Sequence, residues 1–559
     1  MLALLTRRHN KKFVPTAYGT FYLLVMALMS LTISTVAFAE ESPSEFTTAI
    51  ENLKNNSFRK KSEAVEKLTT IKDPRILKVF QALLHGNLYI KKADKSIVIA
   101  TVSGQNYRIA DVLTGKDLGN IDKYQISKII VNNLLRSQLR EAIAHLSLSS
   151  DDPGIRLAAV TEMIKNIDTN SAATLRETLK SEKNKKVRGA IQTALALVEI
   201  DSTDKAVRLK AVETLSESII PEARNRLAAL VKQESDGSYT EPDADIRNAA
   251  NIALKAINST LQFYKLLETI FFGFSLGSVL LLAAIGLAIT FGVMGVINMA
   301  HGELMMLGAY TTYVVQLLMP NYIDYSLFVA IPTAFLISGM AGIAIERGVI
   351  RFLYGRPLET LLATFGLSLI LQQLVRTIFS PLNRSVETPS WMSGSLEINS
   401  ALSLTYNRLY IVIFSLMVFF ALLLILKKTS LGLQVRAVSQ NRAMAKAMGI
   451  RTEWVDALTF GLGSGIAGVA GVALSQLTNV GPNLGQSYII DSFMVVVFGG
   501  VGNLWGTLVG AFSLGVGNKF LEPWSGAVMA KILVLVFIIL FIQKRPRGLF
   551  PQKGRAAEN

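Results

Sequence analysis

No cysteine occurs among the 559 residues. Disulfides, thiol nucleophiles and cysteine metal sites are excluded at once, while the compartment stays open, because a chain without thiols suits any redox state. Histidine is nearly as scarce. His9, His85, His145 and His301 are scattered, and HGELM, starting at His301, lacks the second histidine of H-E-x-x-H. No metal site is expected. No G-x-G-x-x-G occurs in a strand–turn–helix setting, and no G-x-x-x-x-G-K-[ST] loop is found. The chain offers no phosphate cradle and no catalytic residue to assign, so any driving energy must come from another subunit. Charge is sparse too, at 18%.

Half of the chain is hydrophobic and its mean hydropathy is +0.39. These averages conceal two halves. Residues 40–262 are charged and polar, whereas 263–545 are mostly Leu, Ile, Val, Phe, Ala and Gly. The first half reads as a soluble domain and the second as a polytopic bundle of membrane helices. The net charge of +16 could suggest nucleic acid. Many basic residues, however, sit beside apolar spans, where positive charge holds loops in the cytoplasm, so membrane lipid and not nucleic acid is the expected contact. At the start, Arg7, Arg8, Lys11 and Lys12 precede an apolar run over 17–36 and the small-x-small Ala37-Phe38-Ala39. Residues 1–39 read as a signal peptide, or as an uncleaved anchor; both place the soluble half outside the cytoplasm.

Within 40–262 a theme recurs: DDPGIRLAAVTEM from Asp151, NKKVRGAIQTAL from Asn184, TDKAVRLKAVETL from Thr203 and DADIRNAANIAL from Asp243. Each sets an arginine among apolar residues at helical spacing, which resembles the stacked helix pairs of HEAT-type repeats. Residues 87–112 instead alternate apolar and polar and predict a hairpin or three-strand insert. This half is either a spacer or a docking surface.

About eight spans are predicted, near 266–290, 293–319, 327–345, 358–379, 409–426, 455–474, 489–509 and 528–542. Basic clusters at 347–356 and 427–451, and the tail over 546–559, should face the cytoplasm. Between the second cluster and the tail an even number of crossings is needed, yet three are counted. One segment is therefore expected to be broken, and the glycine-rich stretch over 498–517 is the first candidate. In the segment 429–453, Asn441 suits an N-cap and Gly449 a C′ stop, while Met444, Ala447 and Met448 fall on one apolar face of a short helix.

Three motifs, in order, resemble one family. FGVMGVINMAHGELMMLGAY, ending at Tyr310, is similar to the pattern YGVxGxxNxAHGExxMLGAY. LGLQVRAVSQNRAMAKAMGI, ending at Ile450, is similar to a loop of the form G-x-x-x-R-A, a polar residue, then A-x-x-x-G-I. FGGVGNLWGTLVGA, starting at Phe498, resembles LGGxGSxxGAxxGG. These are motifs of permeases in the branched-chain amino acid family of ABC importers, and the likeness covers roughly 265–550. The resemblance implies an all-α permease of an importer, not an enzyme. It has no cofactor of its own; ATP and magnesium sit on two partner ATP-binding subunits. A second permease and an extracytoplasmic solute-binding protein complete the assembly in the bacterial inner membrane.

Gly432, Arg436, Ala437, Asn441, Met444, Ala447, Met448 and Gly449 match the family's ATPase-coupling loop. Gly499, Gly500, Gly502 and Gly506 fall in the third motif and read as structural glycines. Asn298, His301, Gly302 and Glu303 either satisfy backbone freed by a helix break or line the solute pathway. The long exported domain departs from the family's usual short start and resembles the urea-type branch, which implies urea or short amides. A branched-chain amino acid is the alternative, and a stand-alone channel or anchored scaffold the distant one.

Overall fold

The protein is described by a computed structural model covering residues 45–551, apart from 72, 104, 105 and 236 and the side chains of 103 and 170. The expected leader at 1–39 and the end of the tail lie outside the described residues. The chain divides into two compact units between Thr214 and Leu215.

In the first unit, α1 (Glu45–Asn52), α2 (Phe58–Thr70) and α3 (Arg75–His85) lead into a sheet of β1 (Leu88–Lys91), β2 (Ile97–Ser103), β3 (Asn106–Asp111), β4 (Asp117–Ile121) and β5 (Ile126–Lys128). All pairs are antiparallel, in the order β4-β3-β2-β1-β5. The sheet is thus larger than the two or three strands expected over 87–112. Alternation along β2 explains its burial. Ile97 and Ile99 pack on the helical core with Leu83 and Leu139, while Val98 and Ala100 meet Ile109, Ile121 and Ile126 on the other face. Five helices follow: α4 (Asn133–Ser147), α5 (Pro153–Ile164), α6 (Thr169–Ser181), α7 (Lys185–Glu199) and α8 (Lys205–Ser216).

The recurring arginine motif has a shared local geometry. Asp152 caps α5 through the Gly154 N–H, and Arg156 reaches back to the Ser150 and Asp151 carbonyls at 2.7 and 3.0 Å. In the second unit Asp243 caps its helix and Arg247 reaches the Glu241 and Pro242 carbonyls at 2.7 and 2.8 Å. An N-cap with a backward-hooked arginine satisfies both donors at the helix start and acceptors in the loop before it. Arg156 also pairs with buried Glu182 at 2.7 Å. With the Asn184 N–H adding to it, the guanidinium holds the Glu182 carboxyl at about 2, well below its ordinary value.

The second unit opens with α9 (Pro221–Leu230) and α10 (Ala244–Met294), and continues with α11 (His301–Leu318), α12 (Ile323–Gly348) and α13 (Pro357–Phe379). A hairpin, β6 (Ser395–Asn399) and β7 (Leu402–Thr405), leads to α14 (Tyr406–Lys428), α15 (Ser430–Gln440) and α16 (Arg442–Ala447). The last helices are α17 (Thr452–Ser475), α18 (Gln486–Gly499) and α19 (Leu504–Lys544). The boundary expected at 262/263 falls inside α10, whose polar first half runs without interruption into its apolar second half.

Six of these helices are long and apolar enough to cross a membrane, against about eight spans expected. The difference lies in two short segments. α11, with 18 residues, carries His301, Glu303 and Gln316, and α18 has only 14 residues. At 1.5 Å per residue they are about 27 and 21 Å long, short of a hydrocarbon core of about 30 Å. Both begin inside the bundle, where a Cβ on Gly302 would lie 2.5 Å from the Gly485 carbonyl oxygen.

The long helices around the two short ones pack through glycines. Gly273 and Gly277 of α10 press against Val516 and Phe512 of α19, while Gly465 and Gly468 of α17 press against Phe335 and Ala334 of α12. Gly286 of α10 and Gly463 of α17 meet where these two helices cross. α10 ends where α17 begins, Val293 packing on the cluster that holds Val455, so α17 runs opposite to α10. Small residues permit this close approach without a solvent-driven core.

The crossing count also resolves. α19 is broken at Gly526 (φ 78°, ψ 161°), a conformation that only glycine adopts readily. Its two ends meet, since the Asn503 amide donates to the Phe550 carbonyl at 3.2 Å and the Phe550 N–H to the Gly499 carbonyl at 3.1 Å. The helix is therefore a hairpin with arms 504–525 and 527–544. Four helical segments separate the basic loop from the tail, an even number. The expected break within 498–517 is confined to a turn at 500–503, where Gly500 and Gly502 take φ of +105° and +76°; the rest is regular helix.

Candidate functional site

The first feature is the gap between α10 and α11. Gly295, at φ +66°, closes α10, and its N–H donates to the Phe291 carbonyl at 2.9 Å. Residues 295–300 leave the helical path before His301 starts α11. Freed backbone at this depth must find partners inside the protein. Asn298 Oδ1 accepts from the Ala300 N–H at 3.0 Å, and the Met299 N–H donates to Thr364 Oγ1 at 3.2 Å. His301 Nε2 lies 2.9 Å from the Ala283 carbonyl oxygen, which it meets as a donor. Glu303 Oε1 accepts from Gln372 Nε2 at 2.7 Å and Ser368 Oγ at 3.0 Å.

Asn298, His301 and Glu303 are 0, 0 and 1% exposed. Each keeps one polar atom without a protein partner: Asn298 Nδ2, His301 Nδ1 and Glu303 Oε2. The cluster is thus sealed but incompletely satisfied, the condition of a group able to exchange partners when helices move. Its far wall was not foreseen. Thr360, Thr364, Ser368 and Gln372 form a buried polar stripe along α13. Their strict spacing of four in an apolar span was the available signal.

The second feature is the loop between α14 and α17. Asn441 caps α16 through the Met444 N–H at 3.0 Å, and Gly449 sits at φ +86°. Thr429 caps α15, its hydroxyl accepting from the Gly432 N–H at 3.3 Å. Gly432 passes so close to α14 that a Cβ would lie 2.1 Å from the Leu426 carbonyl oxygen, and Arg436 donates to that same carbonyl. Arg436 therefore ties the loop to α14. Val435 and Val438 of α15, Ala445 of α16 and Val455 of α17 form a small core, with Ala437 and Val293 against it. Val293 lies in the last turn of α10, next to the break. Met444 and Met448 point away from this core, 60 and 77% exposed, and Ala447 is exposed with them.

Ion pairs fasten the same region. Arg442 grips Asp456 with both terminal nitrogens and lies 4.1 Å from the Tyr354 ring centroid. Arg347 covers Trp454 at 4.4 Å. The third feature is the turn at 500–503. Gly499 and Gly506 face one another so closely that a Cβ on either would lie 2.3 or 2.1 Å from the other's carbonyl oxygen, and Gly502 receives Gly292 from the end of α10. The turn, the 429–453 loop and the α10 break are thus joined through residues 292–295. Among the described residues no cluster of His, Asp and Glu is arranged to hold a metal.

Comparison with known proteins agrees with this architecture. A family described as "Branched-chain amino acid transport system / permease component" matches residues 269–542. The high-affinity branched-chain amino acid transport system permease protein LivH of Salmonella typhimurium is 33% identical over 299 residues, covering 52% of this chain and 96% of LivH. BraD of Pseudomonas aeruginosa, named likewise as a high-affinity branched-chain amino acid permease protein, is 28% identical over 297 residues and is covered to 96%. The ribose import permease protein RbsC of Haemophilus influenzae is 23% identical over 276 residues. This chain belongs to the branched-chain amino acid permease family, and it is a membrane transport subunit of an ABC importer and not an enzyme.

Proposed function

We propose that this permease passes urea, or short amides, across the inner membrane. The observation that carries the reading is the half of the chain left over. Relatives covered to 96% of their length account for only 52% of it, and the remainder is a folded helical and β domain of the kind the urea-type resemblance implies. The buried hydroxyl and amide groups of Thr364, Ser368, Gln372 and Asn298 are hydrogen-bonding partners suited to a small neutral solute. Asn298, His301, Gly302 and Glu303 would meet that solute when the α10–α11 break opens. A branched-chain amino acid is the second reading, favoured by the names of LivH and BraD.

The partners are a second permease, two ATP-binding subunits holding ATP and magnesium, and an extracytoplasmic solute-binding protein. The first unit faces that protein outside the cytoplasm, after a signal segment, and its helices stack in the HEAT-like manner. Nucleotide-driven closure of the ATP-binding subunits moves α16 through its exposed Met444, Ala447 and Met448, as an amphipathic helix seated in a groove. Ala445 and Val435 pass the motion to Val293 and so to the break. The direct test is calorimetric titration of the partner binding protein with urea, acetamide and leucine. Binding of urea supports the proposal, whereas binding of leucine alone replaces it with the second reading.

A further inference from the structure

The polar stripe of α13 does not stop at Gln372. Thr360, Thr364, Ser368 and Gln372 are buried, and Arg376 continues their spacing of four. Arg376 is half-buried, whereas Leu374 and Ile378 lie on the outer face, 47 and 63% exposed. An arginine near a helix end ordinarily extends its head outward to the interface. Arg376 instead turns across the bundle. Its Nη2 donates to Asn483 Oδ1 at 2.8 Å, and its charge acts on Glu303. Among the described residues no carboxylate forms an ion pair with it, and Asn483 is its side-chain hydrogen-bond partner. A guanidinium carries five N–H donors, so it has room for a further acceptor.

Asn483 is exposed and lies in the segment between α17 and α18. Other contacts hold that segment. Val480 and Arg384 exchange both backbone hydrogen bonds, at 2.9 and 2.7 Å, and the Asn483 carbonyl accepts from the Ser487 N–H at 3.3 Å. The Asn483 side chain can therefore leave Arg376 while its backbone stays in place. Two residues on, Gly485 touches Gly302, the neighbour of Glu303. α13 starts beside the 429–453 loop, where Arg442 covers Tyr354, and Arg376 stands near its other end. It thus links an exposed residue to the sealed cluster. We propose that Arg376 is the first solute contact of this permease, and that a solute oxygen displaces the Asn483 side chain from its guanidinium. Asn483 Oδ1 is a carboxamide oxygen. The bond it makes is the one that urea or a short amide would make through its carbonyl, and an amino acid through its carboxylate. Gln372 and the unpartnered Glu303 Oε2 come next along the stripe. This assignment rests on the permease function and holds for either solute.

Two substitutions of Asn483 separate a displaceable side chain from a structural bond. Labelled urea, acetamide and leucine are each supplied, with the binding protein, to the complete complex in proteoliposomes. The wild type shows which is carried, and every variant is compared with it for that solute. Asn483→Asp fixes the guanidinium with a charge-assisted bond, so uptake should fall by about tenfold while the thermal midpoint does not drop. Asn483→Ala frees the guanidinium, so uptake should stay at the wild-type level or rise. Arg376→Gln removes the contact and should lower uptake. A bond that only holds the fold predicts the reverse order, with Asn483→Asp tolerated and Asn483→Ala damaging. Wild-type uptake by Asn483→Asp or Arg376→Gln, or loss of uptake in Asn483→Ala, overturns the proposal. Carriage of leucine and not urea by the wild type overturns the urea reading alone.

Discussion

At the residue scale, buried polar groups and their partners decide what a substitution costs. Glu303 has one oxygen satisfied by Gln372 and Ser368. Gln372→Leu removes the shorter of those bonds and is expected to cost about 1–3 kcal/mol, because a buried acceptor is left short of donors. A lower thermal midpoint of the detergent-solubilised complex is the readout; an unchanged midpoint would show that Glu303 does not depend on Gln372. Glu182 permits a pH prediction. Its carboxyl, held at about 2 by Arg156, lies below the ordinary 4.5. The native state binds the proton less readily than the unfolded one, so the pair's contribution is fully present above about 4.5 and is lost as pH falls toward 2. Pepsin should begin to cut between Asp151 and Glu182 across that window, and undiminished resistance at its lower end would contradict the pairing. The caps at Asn441 and Gly449 were legible because cap chemistry is local. The α13 stripe was not read, since hydroxyls and amides in an apolar span announce no partner until α11 is placed opposite them.

At the element scale, the gaps matter more than the helices. α11 and α18 begin where Gly302 and Gly485 touch, and a Cβ on Gly485 would lie 2.0 Å from the Gly302 carbonyl oxygen. Gly485→Ala must push backbone apart. It should lower the thermal midpoint, with a cost at the upper end of the roughly 1–3 kcal/mol of core overpacking, and should reduce uptake; a wild-type midpoint would mean that the two helix starts are not in contact. α16 offers the opposite case, a surface of Met444, Ala447 and Met448 that packs on nothing in this chain. Met444→Glu should leave assembly and ATP hydrolysis near normal while uptake falls, and full uptake in an equally expressed variant would remove α16 from the coupling path. Apolar runs revealed most spans, because composition alone sets them. Two were misdrawn for a physical reason. A window over 489–509 is mostly apolar, yet it contains a turn at 500–503 built by two glycines in left-handed conformations, and hydropathy is blind to backbone direction.

At the scale of the whole molecule, three features meet. The α10–α11 break, the turn at 500–503 and the 429–453 loop converge on residues 292–295, where Gly292 meets Gly502 and Val293 packs on the core of Val435, Ala445 and Val455. The family was legible in three motifs. The crossing of α10 and α17 was not, because the approach of Gly286 to Gly463 joins residues far apart in sequence. The folded first unit lies outside the stretch matched to LivH and BraD and is the ground for proposing urea. Accumulation of labelled urea by the complete complex in proteoliposomes tests that assignment most directly, with external binding protein supplied and leucine as competitor. Uptake that requires ATP and is undiminished by excess leucine is predicted; transport of leucine with no accumulation of urea would contradict it.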